Sequence, residues 1–191
     1  MIKEGVPEIP TSCPQYERPG REVVMMNGKI GKVEVAAGEG EKELFTFGVN
    51  GCTVTAVFIE DANGTREGML AHRDPAVTSQ TMADLGALLE SIEGSAIVKA
   101  RIFVRGEYEQ SEDGKWHMVA AKDAQRELRG IELAIKSHLA NAEVKSVAYS
   151  MMLKSEKIRE LRFVIKPKKH PGEKENDDSP VVHWWGIPER L

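Results

Sequence analysis

Two neighbouring segments with strong β-strand character constrain the fold of this chain most. Residues 52–60 are rich in Val, Thr, Ile and Phe, the residue types favoured on a pleated and half-buried surface. The turn-forming stretch Asp61-Ala62-Asn63-Gly64 follows, and residues 66–71 then form a second strand-like segment. Because a short turn joins antiparallel neighbours, the two segments predict a strand pair that returns the chain to His72.

Two other segments carry the apolar spacing of an amphipathic helix. Apolar residues recur three and four positions apart after Thr78 or Ser79, which are candidate N-caps, and the pattern stops at Gly94. The same spacing recurs over residues 122–140. Two helices are therefore expected, one before and one after a predicted strand at 96–104.

A second hairpin is predicted at Asn27-Gly28, between strand-like segments at 22–26 and 29–36. Asn-Gly favours the backbone conformation of a two-residue hairpin turn. The remaining predicted strands are 44–47, 143–149 and 157–165, and polar loops are expected over 106–115 and 166–179.

The order of these elements predicts one α+β domain over residues 1–191. Strands, a helix, a strand, a helix and further strands follow one another without a repeat or a change of composition. A proline-rich arm is expected over 1–20. A charged loop and an aromatic tail with Trp184 and Trp185 are expected over 166–191.

Charge and hydropathy exclude two classes of partner. The formal net charge is -4, whereas nucleic-acid-binding domains usually carry a basic surface. No stretch approaches the roughly 20 apolar residues that cross a bilayer, and the start of the chain has no apolar signal segment. We therefore expect no nucleic acid and no membrane as partners. The expected location is the cytoplasm, or a host cell reached by secretion without a cleavable signal.

Cysteine and histidine usage argues against a disulfide framework and against a metal site. The only cysteines are Cys13 and Cys52, which are too few for a cysteine-rich zinc site. The histidines other than His72 have no spaced ligand partners. No metal and no cofactor are therefore expected, and at least one thiol is free to be buried or reactive. The sequence does not indicate an oligomeric state.

Cys52 and His72 are the candidate chemical centre. A cysteine attacks an amide carbonyl as a thiolate, so it needs a base nearby and donors for the oxyanion. If residues 47–51 form a loop, Thr46 ends one strand where Cys52 begins the next. The strand pair then places Thr46, Cys52 and His72 at one rim of a sheet.

The loop before Cys52 contains Gly48, Asn50 and Gly51. Its two glycines permit a tight turn, and a turn of this kind leaves backbone amides unpaired by the sheet. These three residues are therefore the candidate oxyanion donors.

These residues carry a family resemblance. The stretch Thr46-Phe-Gly-Val-Asn-Gly-Cys52, followed by Gly68-Met-Leu-Ala-His72, resembles the CheD family of chemoreceptor glutamine deamidases. That family carries Thr-x-Gly-x-Gly-Ser-Cys and then Gly-x-Met-x-His. Val49-Asn50-Gly51-Cys52 is also similar to the deamidase domains of the cytotoxic necrotizing factors and of Burkholderia-type lethal factor. The resemblance covers roughly residues 40–150, and it departs from the CheD pattern at Asn50-Gly51, where that pattern has Gly-Ser.

The resemblance implies a layered α/β/β/α fold, with a central β-sandwich of mixed sheets flanked by helices. It also implies a cysteine-dependent hydrolase that deamidates a glutamine side chain of a target protein. In that case Cys52 is the nucleophile, His72 the base and Thr46 the group that orients His72. The target would be a chemoreceptor, or a host protein if the chain is a bacterial toxin or effector.

Several alternatives remain open. Cys52 is also explained as a buried strand residue, because free cysteines are often fully buried. Asn50-Gly51 could form a two-residue hairpin turn, which would place Cys52 opposite Val49 and carry Thr46 too far from His72. A separate alternative is a non-catalytic binding module that retains the fold and uses its acidic surface and aromatic tail to bind a partner. Nucleoside-processing enzymes of the YfiH type need metal ligands that this chain lacks.

Overall fold

The computed structural model describes residues 14–26, 29–74, 78–92, 97–149, 160–168, 180–184 and 187–190. Within these ranges no helix is long and apolar enough to cross a bilayer. A 3-10 turn at Pro14–Tyr16 precedes the regular elements. These are β1 (Arg21–Val23), β2 (Gly31–Val35), β3 (Lys42–Phe47), β4 (Thr53–Glu60), β5 (Arg66–Arg73), α1 (Thr78–Glu90), β6 (Ile97–Gln110), β7 (Trp116–Ala120), α2 (Lys122–His138), β8 (Glu143–Tyr149), β9 (Glu160–Ile165), β10 (Val181–Trp184) and β11 (Ile187–Arg190).

The described strands form two mixed sheets. The first sheet has the order β1-β3-β9-β10-β11, and the second has the order β2-β5-β4-β6-β7 with β8 against β6. β1 is parallel to β3 and β8 is parallel to β6, whereas the other neighbours are antiparallel. The sequence prediction of an α+β protein with mixed sheets is therefore confirmed.

Two clusters of buried apolar side chains hold these elements together. The first cluster takes residues from both sheets, among them Phe163 of β9 and Val54 of β4. The second joins the other face of the second sheet to both helices, through residues such as Val57, Leu89 and Ile131. β4 contributes to both clusters and is buried along its whole length. This explains why its sequence is rich in apolar and β-branched residues at consecutive positions.

The predicted hairpin at Asn27-Gly28 is wrong. β1 pairs with β3 in the first sheet and β2 pairs with β5 in the second, so the connection between them passes from one sheet to the other. A Cβ atom on Gly31 would lie 2.2 Å from Cγ2 of Val24. The two segments thus meet through their side-chain faces, and the burial of Val24 outweighs the local turn preference. Asn27 and Gly28 lie outside the described residues.

The predicted loop over 106–115 is wrong for residues 106–110, whereas residues 111–115 do connect two strands. β6 continues to Gln110 and pairs with β7, so that only a short turn remains between them. The end of β6 is exposed on both faces, from Glu107 to Gln110. An exposed strand has no buried face to impose apolar alternation, which is why the acidic sequence indicates a loop.

The other boundaries lie close to the predicted ones. α1 begins at Thr78, whereas Gly94, its predicted stop, lies outside the described residues. β5 extends two residues beyond the prediction, so His72 lies within the strand. The tail that follows the charged loop forms β10 and β11, and β10 pairs with β9. Most of the charged loop, residues 169–179, and Trp185 lie outside the described residues.

Gly68 offers a test of the contact between the sheets. A Cβ atom there would lie 2.5 Å from Cγ1 of Ile165 and 3.2 Å from Cε1 of Phe163, both in β9. We expect Gly68→Ala to lower the free energy of unfolding by about 2 kcal/mol, because the added methyl group overpacks this region. Urea denaturation measures the change. Gly86→Ala in α1 is the control, since nothing lies within 4 Å of its Cβ position, and it should stabilise by about 1 kcal/mol. If Gly68→Ala had the same free energy of unfolding as the wild-type protein, the close packing at this position would be contradicted.

Candidate active site

β4 and β5 bring Cys52 and His72 to one end of the second sheet. Cys52 lies one residue before β4, and His72 lies directly opposite Val54. Because side chains alternate along a strand, Cys52 and Val54 point to the same face. His72 is the cross-strand partner of Val54 and points to that face too. The pairing of these strands around the Asn63-Gly64 turn is as the sequence predicts.

Thr46 reaches His72 from the other sheet. Its Oγ1 lies 2.7 Å from Nδ1 of His72 and 2.7 Å from the carbonyl oxygen of Val24. The hydroxyl has one hydrogen and donates it to the Val24 carbonyl, so Nδ1 of His72 must donate to Thr46 Oγ1. The hydrogen-bond network thus assigns the ring proton to Nδ1 and leaves a lone pair on Nε2.

Nε2 of His72 is buried and has no hydrogen-bond partner among the described residues. Buried polar atoms are nearly always paired, so an unpaired one requires an explanation. A general base needs an acceptor nitrogen held in a fixed orientation beside the group that loses its proton. Nε2 is an acceptor nitrogen in a ring whose orientation is fixed by Thr46. That ring lies on the same sheet face as Cys52.

Burial keeps both members of the Cys52–His72 pair neutral. It lowers the pKa of His72 to about 4, against a smaller opposing effect of Asp74. It also raises the pKa of the Cys52 thiol, and the charges of Asp74 and Glu127 add to the rise. Burial therefore disfavours the thiolate of Cys52 in the resting state. Any transfer of the thiol proton to His72 must accompany attack on a substrate.

Met26 covers the Cys52 thiol. Its Sδ atom lies 3.5 Å from Cys52 Sγ. Met26 is 38% exposed, whereas Cys52 is 4% exposed. Methionine has a flexible, unbranched side chain, so it can move aside with little rearrangement of the backbone. Met26 is therefore a flexible side chain in direct contact with the candidate nucleophile. Nothing in the local sequence pattern indicates this role for Met26.

The loop between β3 and β4 crosses from one sheet to the other. β3 pairs with β1 and β9 and not with β4, so the alternative reading of Asn50-Gly51 as a hairpin turn is wrong. Gly48 has φ of 67° and Gly51 has φ of 86°, a left-handed conformation that favours glycine. A backbone hydrogen bond from Asn50 lowers the pKa of Cys52 and thus favours its thiolate. An oxyanion role for Gly48, Asn50 and Gly51 stays a prediction.

Tyr149 fixes the backbone of Cys52. Its hydroxyl donates to the Cys52 carbonyl oxygen at 2.6 Å, and its ring is buried in the first apolar cluster. Burial raises the pKa of this phenol, so it stays protonated and remains a donor. The position of Cys52 is therefore determined from β8, nearly a hundred residues away. The strand pattern at 143–149 predicts the element but not this contact.

Two sequence comparisons with known proteins find no relative. A scan of protein-family models finds none that matches the chain, and a search of curated proteins finds no significant match. Within the described ranges, no three His, Cys, Asp or Glu side chains are grouped as a metal site. Cys13 lies outside those ranges. The candidate site therefore rests on the geometry of Thr46, Cys52 and His72.

Proposed function

We propose that this protein is a cysteine-dependent amidohydrolase that deamidates a glutamine side chain of a target protein. The observation that carries the proposal is the hydrogen bond between Thr46 and His72 Nδ1, which leaves Nε2 as an acceptor with no partner among the described residues. In this proposal Cys52 is the nucleophile, His72 the general base and Thr46 the residue that orients His72. The resemblance of these residues to the CheD and cytotoxic necrotizing factor deamidases points the same way.

The reaction begins with a neutral thiol and a neutral imidazole. Cys52 Sγ attacks the carboxamide carbon while its proton passes to His72 Nε2. His72 then gives that proton to the amide nitrogen, and ammonia leaves as the thioester forms. Water attacks the thioester while His72 takes one of its protons, and the sulfur leaves. His72 returns the proton to Cys52, which releases glutamate and restores both groups.

The proposal includes the layered fold that the resemblance implies. In this arrangement the two sheets form a central β-sandwich and the helices lie outside. Its support is the apolar cluster shared by both sheets, together with the second cluster between the helices and the second sheet. The substrate would be a chemoreceptor in the cytoplasm, or a host protein reached without a cleavable signal. The new carboxylate would add a negative charge that switches the target.

The direct test is a search for altered glutamines. The purified protein is incubated with a mixture of intact cellular proteins and hydroxylamine, which intercepts a thioester as a hydroxamate. Mass spectrometry then compares the glutamines converted to glutamate or hydroxamate with those in a sample treated with Cys52→Ala. We expect a discrete set of sites that depends on Cys52. Equal conversion in both samples, or none in either, would contradict the proposal.

Thr46 provides a matched pair of variants for the same assay. Thr46→Val keeps the shape of the side chain but removes the acceptor for Nδ1 of His72, so the ring loses its fixed tautomer. We expect conversion to fall by about a hundredfold, the usual scale of a general-base contribution. Thr46→Ser keeps the hydroxyl and should retain most activity. Equal rates for the two variants would exclude an orienting role for Thr46.

A second candidate is a non-catalytic binding module that retains the fold. The observation that favours it is the raised pKa of the buried Cys52 thiol, which is typical of a structural cysteine. Such a protein would convert no glutamine, and Cys52→Ser would leave its partner binding unchanged. The conversion assay therefore separates the two candidates.

A further inference from the structure

Glu127 of α2 binds two residues that adjoin the candidate catalytic pair. Thr53, which follows Cys52, donates from Oγ1 to Oε2 of Glu127 at 2.9 Å. Arg73, which follows His72, donates from its guanidinium to Oε1 of the same carboxylate. One helix side chain thus holds the sequence neighbours of both Cys52 and His72.

Thr53 and Arg73 face each other across the last rung of the β4–β5 ladder. β4 begins at Thr53 and β5 ends at Arg73, so no further rung supports the strands beyond this point. Ladder ends open more readily than ladder centres, because they have fewer neighbours to hold them. A carboxylate that binds both residues of the last rung opposes this opening at the position beside Cys52 and His72.

Glu127 contacts Thr53 and Arg73 from the face of the sheet opposite to the candidate catalytic pair. Side chains alternate, so Thr53 and Arg73 point toward α2 while Cys52 and His72 point toward the first sheet. The side chains of Arg73 and Glu127 are only 3% and 10% exposed, so water screens their ion pair weakly. Removing one partner of a buried ion pair is strongly unfavourable, so α2 and the strand ends are held firmly together.

We propose that Glu127 is a positioning residue that fixes the spacing between Cys52 and His72 by holding the last rung of the ladder. This inference rests on the proposed function, because it assigns Glu127 a role in proton transfer between those two residues. Glu127 touches neither the thiol nor a substrate. It acts through Thr53 and Arg73.

The charge of Glu127 has a separate effect that the experiment must exclude. Burial is the largest cause of the raised pKa of the Cys52 thiol, and the charges of Asp74 and Glu127 add to it. Glu127→Gln therefore changes both the charge and the position of the pair. Thr53→Val removes one hydrogen bond to Glu127 and leaves every charge in place, so it is the main variant. Thr53→Ser keeps the hydroxyl and is its matched control.

The test is a double-mutant cycle on the alkylation rate of Cys52 by iodoacetamide, followed by mass spectrometry at several pH values. Circular dichroism confirms that each variant is folded. In the wild-type background we expect His72→Ala to slow alkylation below the thiol pKa by about tenfold or more, because His72 assists proton removal. In the Thr53→Val background the same substitution should change the rate by less than about twofold, since the pair is no longer aligned. Thr53→Ser should behave as wild type.

The outcomes distinguish the inference from the proposed function. If His72→Ala has no effect in the wild-type background, the proposed function fails and the inference with it. If His72→Ala is effective and remains so in the Thr53→Val background, the inference alone is overturned. If Thr53→Val does not fold, the double-mutant cycle with His72→Ala is repeated with Glu127→Gln in its place. Glu132→Gln, on the same helix, is its control and should retain the full dependence on His72.

Discussion

Cys52→Ser is expected to reduce glutamine conversion by at least about a thousandfold, the scale of losing a nucleophile that acts together with its base. Serine has almost the same shape as cysteine, but its hydroxyl ionises far less readily. The adjacent base is also weak, because the pKa of His72 is lowered to about 4. A hydroxyl therefore cannot replace the thiol in the attack step.

The fold should survive this substitution. Cys52 is buried in the first apolar cluster, and its carbonyl oxygen remains available to Tyr149 in the serine variant. We expect the free energy of unfolding to change by about 1 kcal/mol, a typical value for a small change in a buried side chain. Cys13→Ser serves as the control and should retain activity. More than a tenth of wild-type conversion in Cys52→Ser would rule out Cys52 as the nucleophile.

Acidification is expected to destabilise the protein through His72. In the unfolded chain His72 binds a proton near its ordinary pKa of 6.5, whereas in the folded protein its pKa is lowered to about 4. Between these values the unfolded state holds more protons, so stability falls as pH falls. The full difference corresponds to about 3 kcal/mol, lost between pH 6.5 and 4 and retained above that window.

Urea denaturation at pH 7, 6 and 5 measures this effect before most carboxyl groups titrate. His72→Gln is the comparison variant, because glutamine is polar and does not titrate. We expect the wild-type protein to lose stability more steeply than the variant over this interval. Parallel curves would mean that His72 is not buried as a neutral ring, and the general-base role would then lack its structural basis.

The sequence predicts the part of the site that depends on local chemistry. The turn at Asn63-Gly64 and the β-branched segment before it determine how β4 and β5 pair, and this pairing places His72 beside Cys52. The glycines of the 47–51 loop indicate a tight turn, and Gly48 and Gly51 do have positive φ. These features depend on residues that are close together in the chain, so the residue types in the sequence are enough to predict them.

The remaining features depend on distant contacts that no local pattern encodes. Met26, Glu127 and Tyr149 contact the site from segments far from Cys52. The Asn27-Gly28 hairpin prediction is wrong for the same reason, since the packing of Val24 on Gly31 decides where those strands lie. The neutral state of Cys52 and His72 also follows from burial by the whole fold. Spacing of residue types carries no information about such burial.

The division of the site between two sheets has a consequence for biosynthesis. Thr46 comes from β3, whose neighbour β9 ends at Ile165, whereas His72 comes from the other sheet. β3 therefore gains its second sheet neighbour only after the chain has been synthesised as far as Ile165. A nascent chain that already contains Thr46, Cys52 and His72 thus lacks β9, one of the two strands that hold β3 in the first sheet. Under the proposed function, the support for the Thr46–His72 hydrogen bond is therefore completed long after the residues of the site have been synthesised.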